Sequence, residues 1–126
     1  MDDIYRENIL DHYRHPRNFG KLENPDIDEK RGNPFCGDEI SVTVKFSLDR
    51  KKVEKINFQG VGCAVSMASA SLLTEYITGK SVREIMSLKK EKVIELLGIE
   101  LSPTRLKCAL LALETIQFAL NSPKNK

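Results

Sequence analysis

The chain has 126 residues, enough for one hydrophobic core and too few for two domains of ordinary size. Hydrophobic residues make up 40% and charged residues 30%, the balance of a globular chain. Twenty Lys and Arg against 18 Asp and Glu leave a net charge of +2, and no basic stripe interleaved with aromatics accompanies it, which argues against nucleic acid as a partner.

The N-terminus, "MDDIYRENIL", is acidic and lacks the apolar core of a signal peptide, and the longest apolar run, "CALLAL" at Cys108 to Leu113, is too short to span a bilayer. The expectation is a cytoplasmic protein with no membrane contact. Ile4, Tyr5, Ile9, Leu10 and Tyr13 fall at helical spacing from Asp3 to His15, and Pro16 closes this first helix. From Arg17 to Pro34 the composition shifts to Asn, Gly, Pro and charge, a long connection with room for one short strand. Ile40, Val42, Val44 and Phe46 then alternate with polar residues, the period of a half-buried strand. A turn at Leu48 to Lys52 leads to a second strand, Val53 to Gln59, and the two form a hairpin.

After Gly60-Val61-Gly62-Cys63 comes "AVSMASASLLTEYITG", with Val65, Ser69, Leu72 and Tyr76 at helical spacing and Gly79 as the stop. Six small residues, Ala64, Ser66, Ala68, Ser69, Ala70 and Ser71, make that helix narrow enough to lie close against a neighbour. Ser81 to Met86 and Lys89 to Leu97 predict two short helices, while Lys89, Lys90 and Lys92 read as a solvated face. Ser102 has the character of an N-cap with Pro103 at the first helical position, and Leu106, Leu110, Leu113, Gln117 and Leu120 mark the stripe of a final helix. This order predicts an α+β domain over residues 1–126, a small antiparallel sheet of about three strands covered on one face by helices.

Three cysteines at wide spacing, without an export signal, read as reduced thiols, and their separations fit no zinc ribbon or knuckle. Extending the strand's parity backward puts Cys36 and Asp38 on the side of Ile40 and Val42, and Gly37 lets the turn between them take a conformation closed to other residues. An ordinary turn with a small apolar cysteine would give the same "CGD". Cys63 opens the small-residue helix, where the positive end of the helix dipole favours thiolate over thiol; a buried core cysteine is the equal alternative. Cys108 falls about 200° round the final helix from its Leu106 stripe, beside Leu111, Ala112 and Thr115. Lys107 next to it can hold a thiolate electrostatically or stand exposed as a solvated lysine. Neither His12 nor His15 is marked as base or ligand, and both are expected at the surface or at a helix cap.

Together "NPFCGDEI", "FQGVGCAVSMASAS" and "LSPTRLKCALLALETI" resemble, in order and separation, the iron-sulfur cluster assembly scaffold family that includes IscU, SufU and the N-terminal domain of NifU. The opening "ILDHYRHPRNFG" is similar to that family's N-terminal helix and loop. The resemblance implies a non-enzymatic scaffold that receives sulfur from a cysteine desulfurase, combines it with iron into a transient 2Fe-2S cluster and hands the cluster to apo-proteins, with a homodimer possible in the loaded state. It also implies the ligand set Cys36, Asp38, Cys63 and Cys108, with Cys108 as persulfide acceptor and Gly37 and Lys107 as auxiliary residues. Lysine at position 107 is SufU-like, whereas the short segment between Cys63 and Cys108 is not. That opens a zinc-bearing, SufU-like sulfurtransferase as a second reading, beside a metal-free α+β interaction module. "LSPTR" at Leu101 to Arg105 matches the family's chaperone-binding segment only at Leu101 and Pro103, which argues against a dedicated Hsp70 partner. No histidine is placed to activate a nucleophile, so no enzyme activity is expected.

Overall fold

The computed structural model describes residues 3–32 and 37–121, with side chains from Arg6 onward. The element order is α1 (Asp3–Arg14), β1 (Ile27–Gly32), β2 (Glu39–Phe46), β3 (Val53–Val61), α2 (Ala64–Ile77), α3 (Val82–Met86), α4 (Lys90–Leu97) and α5 (Pro103–Leu120). The strands form one antiparallel sheet in the order β1-β2-β3. Ile27 pairs with Val44, Val42 with Phe58 and Val44 with Ile56, so these side chains share one face, and all are buried. On that face α5 packs over β1 and β2, and α2 packs over β3. Each large aliphatic or Phe side chain removed from water in this way contributes about 1.5–3 kcal/mol.

The hairpin turn is built from side-chain hydrogen bonds. Asp49 accepts from the Ser47 hydroxyl at 2.6 Å and from the Lys51 N–H at 3.0 Å, while Arg50 takes a left-handed conformation with φ +60°. The expected strand within the long connection is β1, whose sequence IDEKRG buries only Ile27 because it lies at the sheet edge. Helix ends follow local chemistry. Ser81 closes a capping box with Glu84, Gly98 ends α4 in the left-handed region, and the Ser102 hydroxyl accepts from Arg105 N–H ahead of Pro103.

Two expectations need correction. On α5 the expected stripe is buried at Leu113 and Leu120 but only partly covered at Leu106, Leu110 and Gln117, while Cys108, Ala109, Leu111, Ala112, Thr115, Ile116 and Ala119 are buried as well. The side of Cys108 is therefore a principal core contact, because small side chains there meet the small side chains of α2. Ser69 Oγ on α2 donates to the Ala109 carbonyl at 2.6 Å, an approach that larger residues would prevent. His12 is buried, not at the surface: α1 lies on α2, and His12 Nδ1 stands 2.7 Å from Ser71 Oγ. Tyr13, one residue on, points away from that contact and is exposed.

Candidate metal centre

Asp38 enters the site from the residue before β2. Gly37 ahead of it adopts φ +75°, a conformation that a side chain would strain. Asp38 is buried on the same side as Ile40 and Val42, as strand parity predicts, while Cys36 lies outside the described residues. Cys63 is the N-cap residue of α2, with extended backbone and no capping hydrogen bond from its side chain to the first turn, and its sulfur faces the site. Cys108 comes from the second turn of α5 and is buried. Helix geometry sends Lys107 in a different direction, and it is exposed.

The Sγ atoms of Cys63 and Cys108 and a carboxylate oxygen of Asp38 lie within 4.8 Å of one another. Both cysteines are free thiols. Two sulfurs at about 2.3 Å from one tetrahedral zinc or iron stand about 3.7 Å apart, so closing the group round a metal needs a shift of at most about 1 Å. Two soft thiols and one hard carboxylate at the N-terminal end of α2, with Asp38 and Cys108 buried and Cys63 partly exposed, suit a borderline metal or an iron-sulfur unit. The donor set fits such a guest.

Two further residues shape the group, and neither stood out as a site residue in the sequence. Ser66 Oγ donates to Asp38 Oδ2 at 2.5 Å, stands 3.1 Å from the Cys108 carbonyl oxygen and is within 3.6 Å of Cys63 Sγ. The available signal was its spacing, since residues i and i+3 share a helix face and Ser66 follows Cys63 by three. Gly62 is the other: a Cβ there would sit 3.0 Å from Asp38 Cγ and 3.2 Å from Ser66 Cβ.

Residues 4–126 match the family model of the NifU-like N terminal domain. The chain is 37% identical to the zinc-dependent sulfurtransferase SufU of Bacillus subtilis, over 93% of this chain and 89% of that one. It is 36% identical to the iron-sulfur cluster assembly scaffold protein IscU of Escherichia coli K12, over 97% and 95%. A crystal structure described as a candidate iron-sulfur cluster assembly scaffold for the SUF system of Fervidobacterium islandicum superposes with a TM-score of 0.81 at 31% identity, covering 94% of this chain and 98% of that one. The N-terminal part of a NifU-like protein from Brucella abortus shares the fold, with a TM-score of 0.74 at 20% identity over 94% and 93% of the two chains.

Proposed function

We propose, from the premise that the chain belongs to the family of the NifU-like N terminal domain, that it is a scaffold on which iron and sulfur are assembled into a transient cluster for delivery to apo-proteins. The observation that carries this reading is the meeting of Asp38, Cys63 and Cys108 from three separate elements within 4.8 Å. The cluster is cargo, not a resident cofactor. Cys36 is the proposed fourth ligand, two residues before Asp38 in the chain. Three thiolates grip iron firmly, whereas the hard carboxylate is the weakest-matched donor and gives the position that opens. A storage or electron-transfer site would use four cysteines.

Sulfur arrives from a cysteine desulfurase. The Cys108 thiolate attacks the outer sulfur of the donor's persulfide, the donor S–S bond breaks, the donor cysteine leaves as thiolate and Cys108 becomes the persulfide. Lys107, adjacent in α5, supports the thiolate by its charge. The chain itself catalyses no turnover. Its cargo is a 2Fe-2S unit, its working place the cytoplasm, and two copies share one cluster in the loaded state. Among the described residues no helix is long and apolar enough to cross a membrane.

A zinc-dependent sulfurtransferase is the second reading, favoured by Lys107 beside Cys108 and by the similarity to the Bacillus protein of that name. Anaerobic reconstitution with ferrous iron and sulfide, followed by transfer to an apo-ferredoxin, separates the two. Visible charge-transfer absorption that moves to the ferredoxin is expected. Tight zinc with persulfide on Cys108 and no cluster would replace the scaffold reading with the sulfurtransferase one, and persulfide mainly on Cys63 or Cys36 would remove Cys108 as acceptor.

A further inference from the structure

We infer that Ser66 is a positioning residue that acts on the metal through Asp38, a role that rests on reading Asp38, Cys63 and Cys108 as one metal site. Ser66 is completely buried in the first turn of α2, where it reaches the Asp38 carboxylate, the Cys63 sulfur and the backbone carbonyl of Cys108. Its hydroxyl has one proton and two acceptors in range, Asp38 Oδ2 at 2.5 Å and the Cys108 carbonyl oxygen at 3.1 Å. The shorter contact lies in the range of hydroxyl-to-carboxylate bonds, so the proton sits toward Asp38. Cys63 Sγ, at 3.6 Å, donates to the same oxygen.

Two consequences follow from this arrangement. The hydroxyl helps to set the rotation of the Asp38 carboxylate, so that a short side chain on a glycine turn faces the two sulfurs. When a metal draws Asp38 Oδ2 away, the Ser66 proton has the Cys108 carbonyl as a second acceptor, and no buried donor is stranded. Ser66 thereby holds Asp38 in place before loading and lets it move at little cost during loading and release. A serine serving only helix packing would need no carboxylate partner: Ser69, one turn on, bonds to the Ala109 carbonyl alone.

The test is a double-mutant cycle in the full chain with zinc(II) and cobalt(II) as probes. Ser66→Ala is expected to weaken zinc binding by about tenfold to a hundredfold, the usual effect of losing a hydrogen bond to a metal ligand. It should also shift the cobalt(II) ligand-field bands while leaving the sulfur charge-transfer band. In an Asp38→Ala background the same change should alter affinity by less than about twofold, because the group through which Ser66 acts is gone. Ser66→Thr, which keeps the hydroxyl, should restore the parental spectrum, and circular dichroism of each variant reports folding. Equal effects of Ser66→Ala with and without Asp38 would overturn the inference, as would unchanged zinc affinity and cobalt bands in Ser66→Ala. Should Ser66→Ala not fold, a parental cobalt spectrum in Ser66→Thr supports the inference and an altered one in folded protein overturns it. Failure of the parent chain to bind either metal would overturn the site itself, an outcome distinct from all of these.

Discussion

Gly60 and Gly62 stand two residues apart and guard different properties. A Cβ at Gly60 would run into the Glu39 carbonyl and the Ile40 Cα across the β2–β3 pairing, so Gly60→Ala forces two backbones apart. A loss of about 1–3 kcal/mol is expected from such overpacking, read as a lower midpoint in urea. At Gly62 the obstacles are the side chains of Asp38 and Ser66. Gly62→Ala should displace the carboxylate by a few tenths of an ångström and weaken zinc binding by about tenfold, with stability little changed. Equal metal affinity in Gly62→Ala and the parent would mean that the turn at Gly37 absorbs the push. Asp38 itself is expected to govern release more than capture: Asp38→Ala should still assemble a cluster on the cysteines but pass it to apo-ferredoxin more slowly. Transfer at the parental rate would reduce Asp38 to a turn residue.

Helix α1 is held to α2 by a chain of polar contacts. The Arg17 backbone N–H donates to Ser71 Oγ at 2.9 Å, and the same hydroxyl pairs with His12 Nδ1 at 2.7 Å. Burial pushes His12 below its ordinary value of 6.5, with the Arg17 charge adding and Glu75 and Asp11 opposing. A lowered folded value means that the fold prefers neutral histidine. The stabilisation is fully present above the ordinary value and is lost as pH falls through it toward the folded value. Unfolding midpoints should therefore drop as pH falls below the ordinary value of 6.5, and His12→Gln should flatten that slope. An unchanged slope in His12→Gln would assign the pH dependence elsewhere. What the sequence made legible at this scale was whatever rests on local chemistry: the alternation of β2, the Ser102–Pro103 start of α5 and the Gly98 stop of α4. The burial of His12 was not legible, because it depends on which face of α1 meets Ser71, far along the chain. The α5 stripe is buried only at Leu113 and Leu120 for a related reason: periodicity weights leucine heavily, yet much of the helix's buried face is Cys, Ala and Thr, which carry little hydrophobic signal. Ser66 was hidden in the same way, as one small residue among six.

In the whole molecule, the candidate site joins the start of β2, the start of α2 and the second turn of α5, so its donors converge only when sheet and helices are packed together. Their convergence could not be read from spacing, and parity and helix phase placed each donor only on its own element. Metal binding and folding are consequently linked. Zinc at a hundredfold over its dissociation constant should stabilise the chain by about 2.7 kcal/mol, seen as a higher melting temperature that a chelator reverses. The central claim, that thiols far apart in sequence act as one cargo site, is tested most directly by anaerobic cluster reconstitution of the Cys36→Ser, Cys63→Ser and Cys108→Ser chains beside the parent, followed by visible absorbance and circular dichroism. Each serine variant should lose the stable cluster while keeping near-native dichroism. A full parental cluster spectrum in any one of them would contradict the account by removing that cysteine from the site.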